Sequence, residues 1–525
     1  MDYGNLDRVA CACAFALVIA WLSQRLPQSR APLPPGPPRW PLIGSLLSLP
    51  RDEPNWKTFI RWGAEFKSDI IFVPVPGQSL VVLNSHKAAI EVLERRSALY
   101  SSRPRFVMGG ELVGWNQILG LRPYGDDFHR TRRLLHDGLS IKAMQTWQPS
   151  QEREALKFVQ RLLDTPEDFL AHIRQTAGAT VVKITYGHTV IDASDQYIRA
   201  AERAMRSISA VVTPGAFMVD IFPWLRYVPW APFKKLAAES RKYVTDLADV
   251  PMEYVRKQMS IGGEQSLASK WLETPSDKED HEYIVKWAAA SLYAGGADTT
   301  VSAMLTFIVA MLHNPSVQLK AQSEISDLLP NRLPSFSDRE NLPYVEAVYQ
   351  EVLRWQPVTP LGVAHTYTGD KSDAYNGMRI PVGSMVISNI WAMLHDPSTY
   401  KDPERFNPER FLGPEPEYNP EKIAFGFGRR ICPGINVAHS SLWISIALML
   451  AAFNIVPIVD DDGKEVLPSL EYSNETVRQV CYGMCNAYAF LTHLSVYWFS
   501  YPPPFKCNIT PRSDRIRQMV EEILM

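Results

Sequence analysis

The stretch Ala424–Ser441, AFGFGRRICPGINVAHSS, packs three glycines, two arginines and one cysteine into its first eleven residues and then runs into apolar sequence. A nucleophilic cysteine would want a partner histidine, and a zinc ligand would want further Cys or His nearby. Neither use explains the glycines. Gly426, Gly428 and Gly434 permit tight turns and a close approach of backbone to something flat or bulky. Arg430, two residues ahead of Cys432, offers a planar cationic fork suited to a carboxylate. Pro433 and Gly434 open a helix directly after the cysteine, and a helix N-terminus favours negative charge and lowers a thiol pKa. These parts describe a thiolate beside a large anionic cofactor, and haem with its two propionates fits that description.

The spacing Phe425-x-x-Gly428-x-Arg430-x-Cys432-x-Gly434 resembles the haem-binding signature of the cytochrome P450 family, in which a cysteine thiolate holds the haem iron. The resemblance implies haem b as cofactor, with Cys432 as axial ligand of the iron and Arg430 against a propionate. Phe425, Gly428 and Gly434 would frame the ligand loop. It also implies a mainly α fold with a minor β part, a single large domain behind an N-terminal membrane anchor.

Further motifs agree. AGGADTT, Ala294–Thr300, lies inside a long apolar helical stretch, where adjacent glycines cost roughly 1 kcal/mol each relative to alanine. The pair reads either as close helix packing or as room for a ligand. The stretch resembles the oxygen-activating segment of the family, where Thr299 would hydrogen-bond the dioxygen and Asp298 would feed protons. Glu351 and Arg354, at i and i+3, share a helix face. They match the family's Glu-x-x-Arg motif, and the spacing of DPERFNPERF favours Arg410 as the third member of a structural, non-catalytic group. His365, after the turn Pro360-Leu361-Gly362, stands where the family often holds a propionate; a structural histidine is the alternative. Arg132 matches the arginine of the family's Trp-x-x-x-Arg helix, but Phe128 replaces the tryptophan, so one indole hydrogen bond to the haem edge would be missing.

Working outward, the 525 residues are 46% apolar and 21% charged, with a formal net charge of -2, which gives no electrostatic reason to expect nucleic acid. Six cysteines make no disulfide framework and suit a reducing compartment. Val9–Leu22 is uncharged and short for a span, which needs roughly 17–25 residues. Trp21 and Gln24-Arg25-Leu26 make a poor small-residue cleavage site, so residues 1–25 are expected to be an anchor rather than a cleaved signal. Residues 26–38, rich in proline, are expected to be a stiff neck, and 39–525 the haem domain. DIIFVPV and SLVVLN, joined by Pro76-Gly77-Gln78, predict a hairpin. Helical patterns follow to about residue 358, then short strands to about 390. Residues 214–233, apolar, aromatic and broken by prolines, read either as a buried loop or as a lid at a substrate entrance that dips into the membrane. Val480–Tyr501, without Asp, Glu, Lys or Arg, is an atypical insertion, read as a lipophilic loop or as translated intervening sequence.

The resemblance covers residues 32–512 apart from that insertion. It implies a monooxygenase that inserts one atom of O2 into a lipophilic substrate, with the style of fungal secondary metabolism (a terpenoid, polyketide or indole). Electrons would come from NADPH–cytochrome P450 reductase, with Arg133 and Arg429 as candidate docking charges. The expected place is the endoplasmic reticulum membrane, with the catalytic domain cytosolic. Two alternatives keep the haem: an isomerase or dehydratase needing no reductase, and a haem-binding protein inactivated by residues 480–501.

Overall fold

The apolar run around residues 284–312 has no polar face, so its helix has to lie inside the protein rather than on it. It forms the central helix His281–His313, ended by Asn314-Pro315. The sequence after Cys432 behaves alike and forms the helix Ile435–Ala452. Both are long and apolar enough to cross a bilayer, yet their apolar windows are 67% and 78% buried within the domain, which makes them interior helices. In this computed structural model the described residues are 31–49, 53–192, 194–212, 216–472 and 499–524.

Further helices surround the pair, notably Gln148–Asp164, Phe169–Tyr186, Gln196–Val211, Phe233–Ser260 and Pro343–Trp355. The expected hairpin is β1 (Ile70–Val75) with β2 (Gln78–Leu83). β2 continues in parallel with β6 (Met385–Ser388), which pairs with β3 (His365–Thr366), giving the order β1-β2-β6-β3. Between them in sequence, β4 (Asp373–Tyr375) and β5 (Met378–Ile380) make a separate hairpin. A three-stranded sheet joins β8 (Glu465–Val466), β7 (Phe453–Val459) and β9 (Cys507–Pro511) in the order β8-β7-β9. The architecture is mainly helical with small sheets.

The central helix serves two cores. Up to Ala294 its side chains belong to one large apolar cluster, and from Val301 onward to another. The change of partner falls on Gly295–Thr300, where Gly295 is exposed and the next five residues only half-buried. A helix otherwise sealed in core therefore opens out at AGGADTT.

Two expectations change. The described part of the neck, residues 31–38, is not a free spacer. Phe72 N–H donates to Pro35 O at 2.9 Å and Arg379 N–H to Pro32 O at 2.7 Å, so the proline strap lies on the sheets. Residues 216–232 are not a buried loop either. They form a turn of helix (Met218–Ile221) and a 3-10 turn (Pro223–Tyr227), with Trp224, Tyr227 and Trp230 exposed. The anchor (1–25) and residues 480–498 of the insertion lie outside the described residues.

Candidate haem site

Cys432 sits where its loop turns into the Ile435–Ala452 helix, and its N–H donates to Phe425 O at 2.9 Å, closing the loop on itself. Gly428 makes this possible: its φ is +56°, and a Cβ there would collide with the Leu93 carbonyl, so the loop rests on the 90–95 turn. The close approach at Gly428 is thus to protein backbone. At Gly426 (φ +80°) a Cβ would meet nothing within 4 Å, and this glycine faces open space. The thiol reverses one expectation. Burial pushes its pKa up, and the Gly434 amide and Arg132 only partly offset that. The helix N-terminus alone does not make a thiolate here; a bound metal cation would.

Above the loop is a concentration of buried cations. Arg430 donates to Ser101 O (2.6 Å), Leu119 O (3.0 Å) and Arg122 O (2.7 Å). Arg103, which sequence reasoning did not single out, donates to Gly120 O (2.8 Å), Val363 O (2.7 Å) and Ala364 O (2.9 Å). Arg132 donates to Ile431 O. His365, buried, shares a 2.7 Å hydrogen bond with Tyr100 O through Nδ1. Burial lowers the pKa of His365 well below the usual value, and Arg103 and Arg430 lower it further. Arg430 is itself pushed down by burial, then by Arg103 and Arg132. Among the described residues these three guanidiniums contact carbonyl oxygens and no carboxylate. Buried cations without a counter-ion are costly, and a ligand carrying two carboxylates would remove that cost. Phe128 fills the tryptophan position differently from what was expected: its ring lies under the Arg430 guanidinium at 3.8 Å, so an apolar face supports the fork. Arg429, exposed, donates to the Tyr124 hydroxyl and lies over its ring.

On the central helix the two glycines separate. A Cβ on Gly295 would meet nothing within 4 Å, while one on Gly296 would lie 2.6 Å from Val181 Cγ2. Both readings of the pair hold, one for each residue. Thr299 Oγ1 donates to Gly295 O at 2.7 Å. Asp298, on this half-buried stretch, has its carboxyl pushed up to about 6 by desolvation, with Arg174 partly opposing. Its carbonyl accepts from the Tyr501 hydroxyl at 2.9 Å, and Ser302 Oγ donates to Ser500 O at 2.5 Å. The end of the atypical insertion is thereby docked against the central helix.

Beneath, Glu351 and Arg354 are fully buried and paired twice, at 2.7 and 2.9 Å. Arg410 reaches Glu351 at 3.2 Å and Glu417 at 2.6 Å. Arg354 also donates to Leu394 O (3.0 Å) and Arg405 O (3.2 Å), tying the Pro343–Trp355 helix to the irregular stretch before the cysteine loop.

An open helical glycine, a cysteine turn closed on itself and buried cations that meet no carboxylate among the described residues are the parts a haem-thiolate oxidoreductase needs. The family model of Cytochrome P450 matches residues 34–476, and the chain belongs to the cytochrome P450 family. It is similar to cytochrome P450 monooxygenase 208 of Postia placenta, 40% identical over 97% of this chain and 96% of that protein. It also resembles cytochrome P450 monooxygenase claR of Ampulloclitocybe clavipes (39%, covering 94% and 88%) and cytochrome P450 monooxygenase ple1 of Rhodocybe pseudopiperita (37%, 99% and 98%). A zebra fish cytochrome P450 structure with progesterone shares the fold, with a TM-score of 0.69 at 22% identity over 88% of this chain and all of that one. The cofactor is haem with a thiolate-ligated iron, and the enzyme is a monooxygenase of this family.

Proposed function

We propose that Cys432 is the axial ligand, that Arg430, Arg103, Arg132 and His365 hold the propionates, and that Asp298 and Thr299 deliver protons. The observation that carries this is the placement of the acid–alcohol pair on the one stretch of the central helix that leaves the core. Bound haem supplies dioxygen activation, with the thiolate favouring O–O cleavage. The chain's own part is to hold protons and exclude water. Thr299, parked on Gly295 O, has a hydroxyl that can rotate off that carbonyl. A carboxyl near pH 6 is protonated often enough at neutral pH to pass protons on and is quickly reloaded.

The substrate is proposed to be lipophilic, a fungal secondary metabolite, because the segments expected to face it are apolar: Phe106, Val107, Val113, Ile118, Ala294 and Leu361 share one core cluster. NADPH–cytochrome P450 reductase is the proposed electron donor. Attachment to the endoplasmic reticulum membrane is supported by two groups of exposed apolar side chains, Trp40, Leu42 and Leu47, and Phe222, Trp224, Tyr227 and Trp230. Both flank the β1–β2 hairpin: Ser45 N–H donates to Pro74 O at 2.7 Å, and the Gly77 turn meets Ile221.

The test is a metabolite screen with haem-loaded enzyme, the reductase, NADPH and O2. A product heavier by one oxygen, absent without NADPH, is expected. Turnover of a metabolite without NADPH or O2 would replace this reading with the isomerase or dehydratase.

A further inference from the structure

The inner face of the 216–228 lid carries an ionisable group that the reaction does not use. Asp220, on the Met218–Ile221 turn, aims its carboxylate at the Val107–Leu112 turn. Its Oδ1 accepts from the Met108 N–H at 2.9 Å. Its Oδ2 is buried and has no hydrogen-bond partner among the described residues. The cations nearby are engaged elsewhere. Glu111 takes Arg105 at 2.5 Å and also Arg226. Arg241, from the Phe233–Ser260 helix, donates to the Glu111 and Leu112 carbonyls at 2.8 and 2.7 Å. The charged group that acts on Asp220 is Glu111, of the same sign. The Val107–Leu112 turn is also packed tightly on the end of the Gln196–Val211 helix, where a Cβ on Gly109 would lie 2.6 Å from Val211 O.

The lid is therefore closed by two devices of opposite effect. The Arg105–Glu111–Arg226 cluster is an ionic clasp. An ionised carboxylate with one oxygen bare and no cation is the reverse, since closing strips its water and opening restores it. We propose that Asp220 is a release group, a positioning residue whose negative charge keeps the closed contact between 216–228 and 105–112 marginal and so admits bulky substrates at neutral pH. This rests on the reading of residues 216–228 as a lid over the apolar segments expected to face the substrate.

The pH sign follows. Burial, opposed by the Met108 and Val107 amides, pushes the closed-state carboxyl up to about 6. In the open, solvated state it titrates near the ordinary value of about 4. The closed state binds the proton more tightly, so acidification below about pH 6 favours closure and ionisation above it favours opening. The open-to-closed ratio changes about tenfold by about pH 5. Glu111, held below the usual carboxylate range first by its hydrogen bond to Arg105, stays ionised meanwhile.

The test follows association with the haem iron by stopped-flow absorbance in full-length, haem-loaded enzyme. It compares a bulky triazole, itraconazole, with the unsubstituted triazole ring, both iron ligands through an uncharged ring nitrogen over this range. Wild-type enzyme should bind the bulky probe about tenfold more slowly at about pH 5 than at about pH 7.5. Asp220→Asn should be slow and flat at every pH, and the small ring should show no such dependence. Glu111→Gln, which opens the clasp, should bind the bulky probe faster while still showing a pH slope, reduced because its charge no longer adds to the desolvation of Asp220, so the test survives poor folding of Asp220→Asn. A flat wild-type profile, or a slope retained in Asp220→Asn, overturns the proposal. Equal slopes for both probes overturn the lid reading, and the spectral shift on binding still reports the haem-thiolate site.

Discussion

Cys432 is placed by its neighbours rather than prepared by them: burial raises its pKa, so the iron must displace its proton. Cys432→Ala is expected to lose the thiolate-type spectrum of the reduced, CO-bound enzyme while the chain still folds, as judged by circular dichroism. Asp298 shows the opposite economy. Its folded-state pKa, near 6, lies above the unfolded value of about 4. The stabilisation from its bound proton is present below about pH 4 and is lost as pH rises to about 6, so above that the ionised group is a cost. Asp298→Asn should therefore stabilise the protein at neutral pH by on the order of 2 kcal/mol. The same change should cut product formation about a hundredfold. A higher melting temperature with poor turnover confirms the trade; a lower melting temperature rejects it.

At the scale of the element, the central helix places two glycines side by side for different ends. Neighbouring residues on a helix point about 100° apart, so one faces open space and the other faces Val181 on the Phe169–Tyr186 helix. Gly295→Ala should leave stability unchanged or raise it by about 1 kcal/mol through helix propensity, while altering the spectral response to ligands. Gly296→Ala should lower the melting temperature, since a methyl 2.6 Å from Val181 Cγ2 forces the helices apart or turns that valine. Equal effects on both measurements would mean that the two positions are not separated as the structure has them. The 216–228 lid is the other element whose behaviour depends on its setting: Phe222, Trp224 and Tyr227 face out, and its one inward carboxylate works against its closure.

Across the whole molecule, the central helix passes from one apolar core to the other at AGGADTT, and the Glu351–Arg354–Arg410 group secures the layer before the cysteine loop. Both members of the Glu351–Arg354 pair are fully buried, so removing one leaves the other poorly compensated, a loss of about 3–5 kcal/mol. Arg354→Ala is expected to give little or no haem-loaded protein by Soret absorbance. Arg354→Lys, which keeps the charge but not the fork, should fall between it and wild type. If Arg354→Ala loads haem normally, the triad does not hold this layer.

The cysteine loop, the acid–alcohol pair and the Glu-x-x-Arg motif were legible in the sequence because their members lie within a few residues of one another. Covalent connectivity and helical period already bring such residues together. The two interior helices and the first hairpin were legible for the same local reason. Arg103 left no such signal, because it joins Arg430 and His365 only through contacts more than 200 residues apart in sequence. Burial likewise belongs to the folded chain, and it decided the direction of the Cys432 shift, the release of a proton near pH 6 by Asp298, and the cost of charging Asp220. The sequence by itself determined the cofactor and its chemistry. Which groups surround the cofactor, and how access to it is controlled, was decided by tertiary structure, since desolvation and like-charge proximity arise only when distant segments pack.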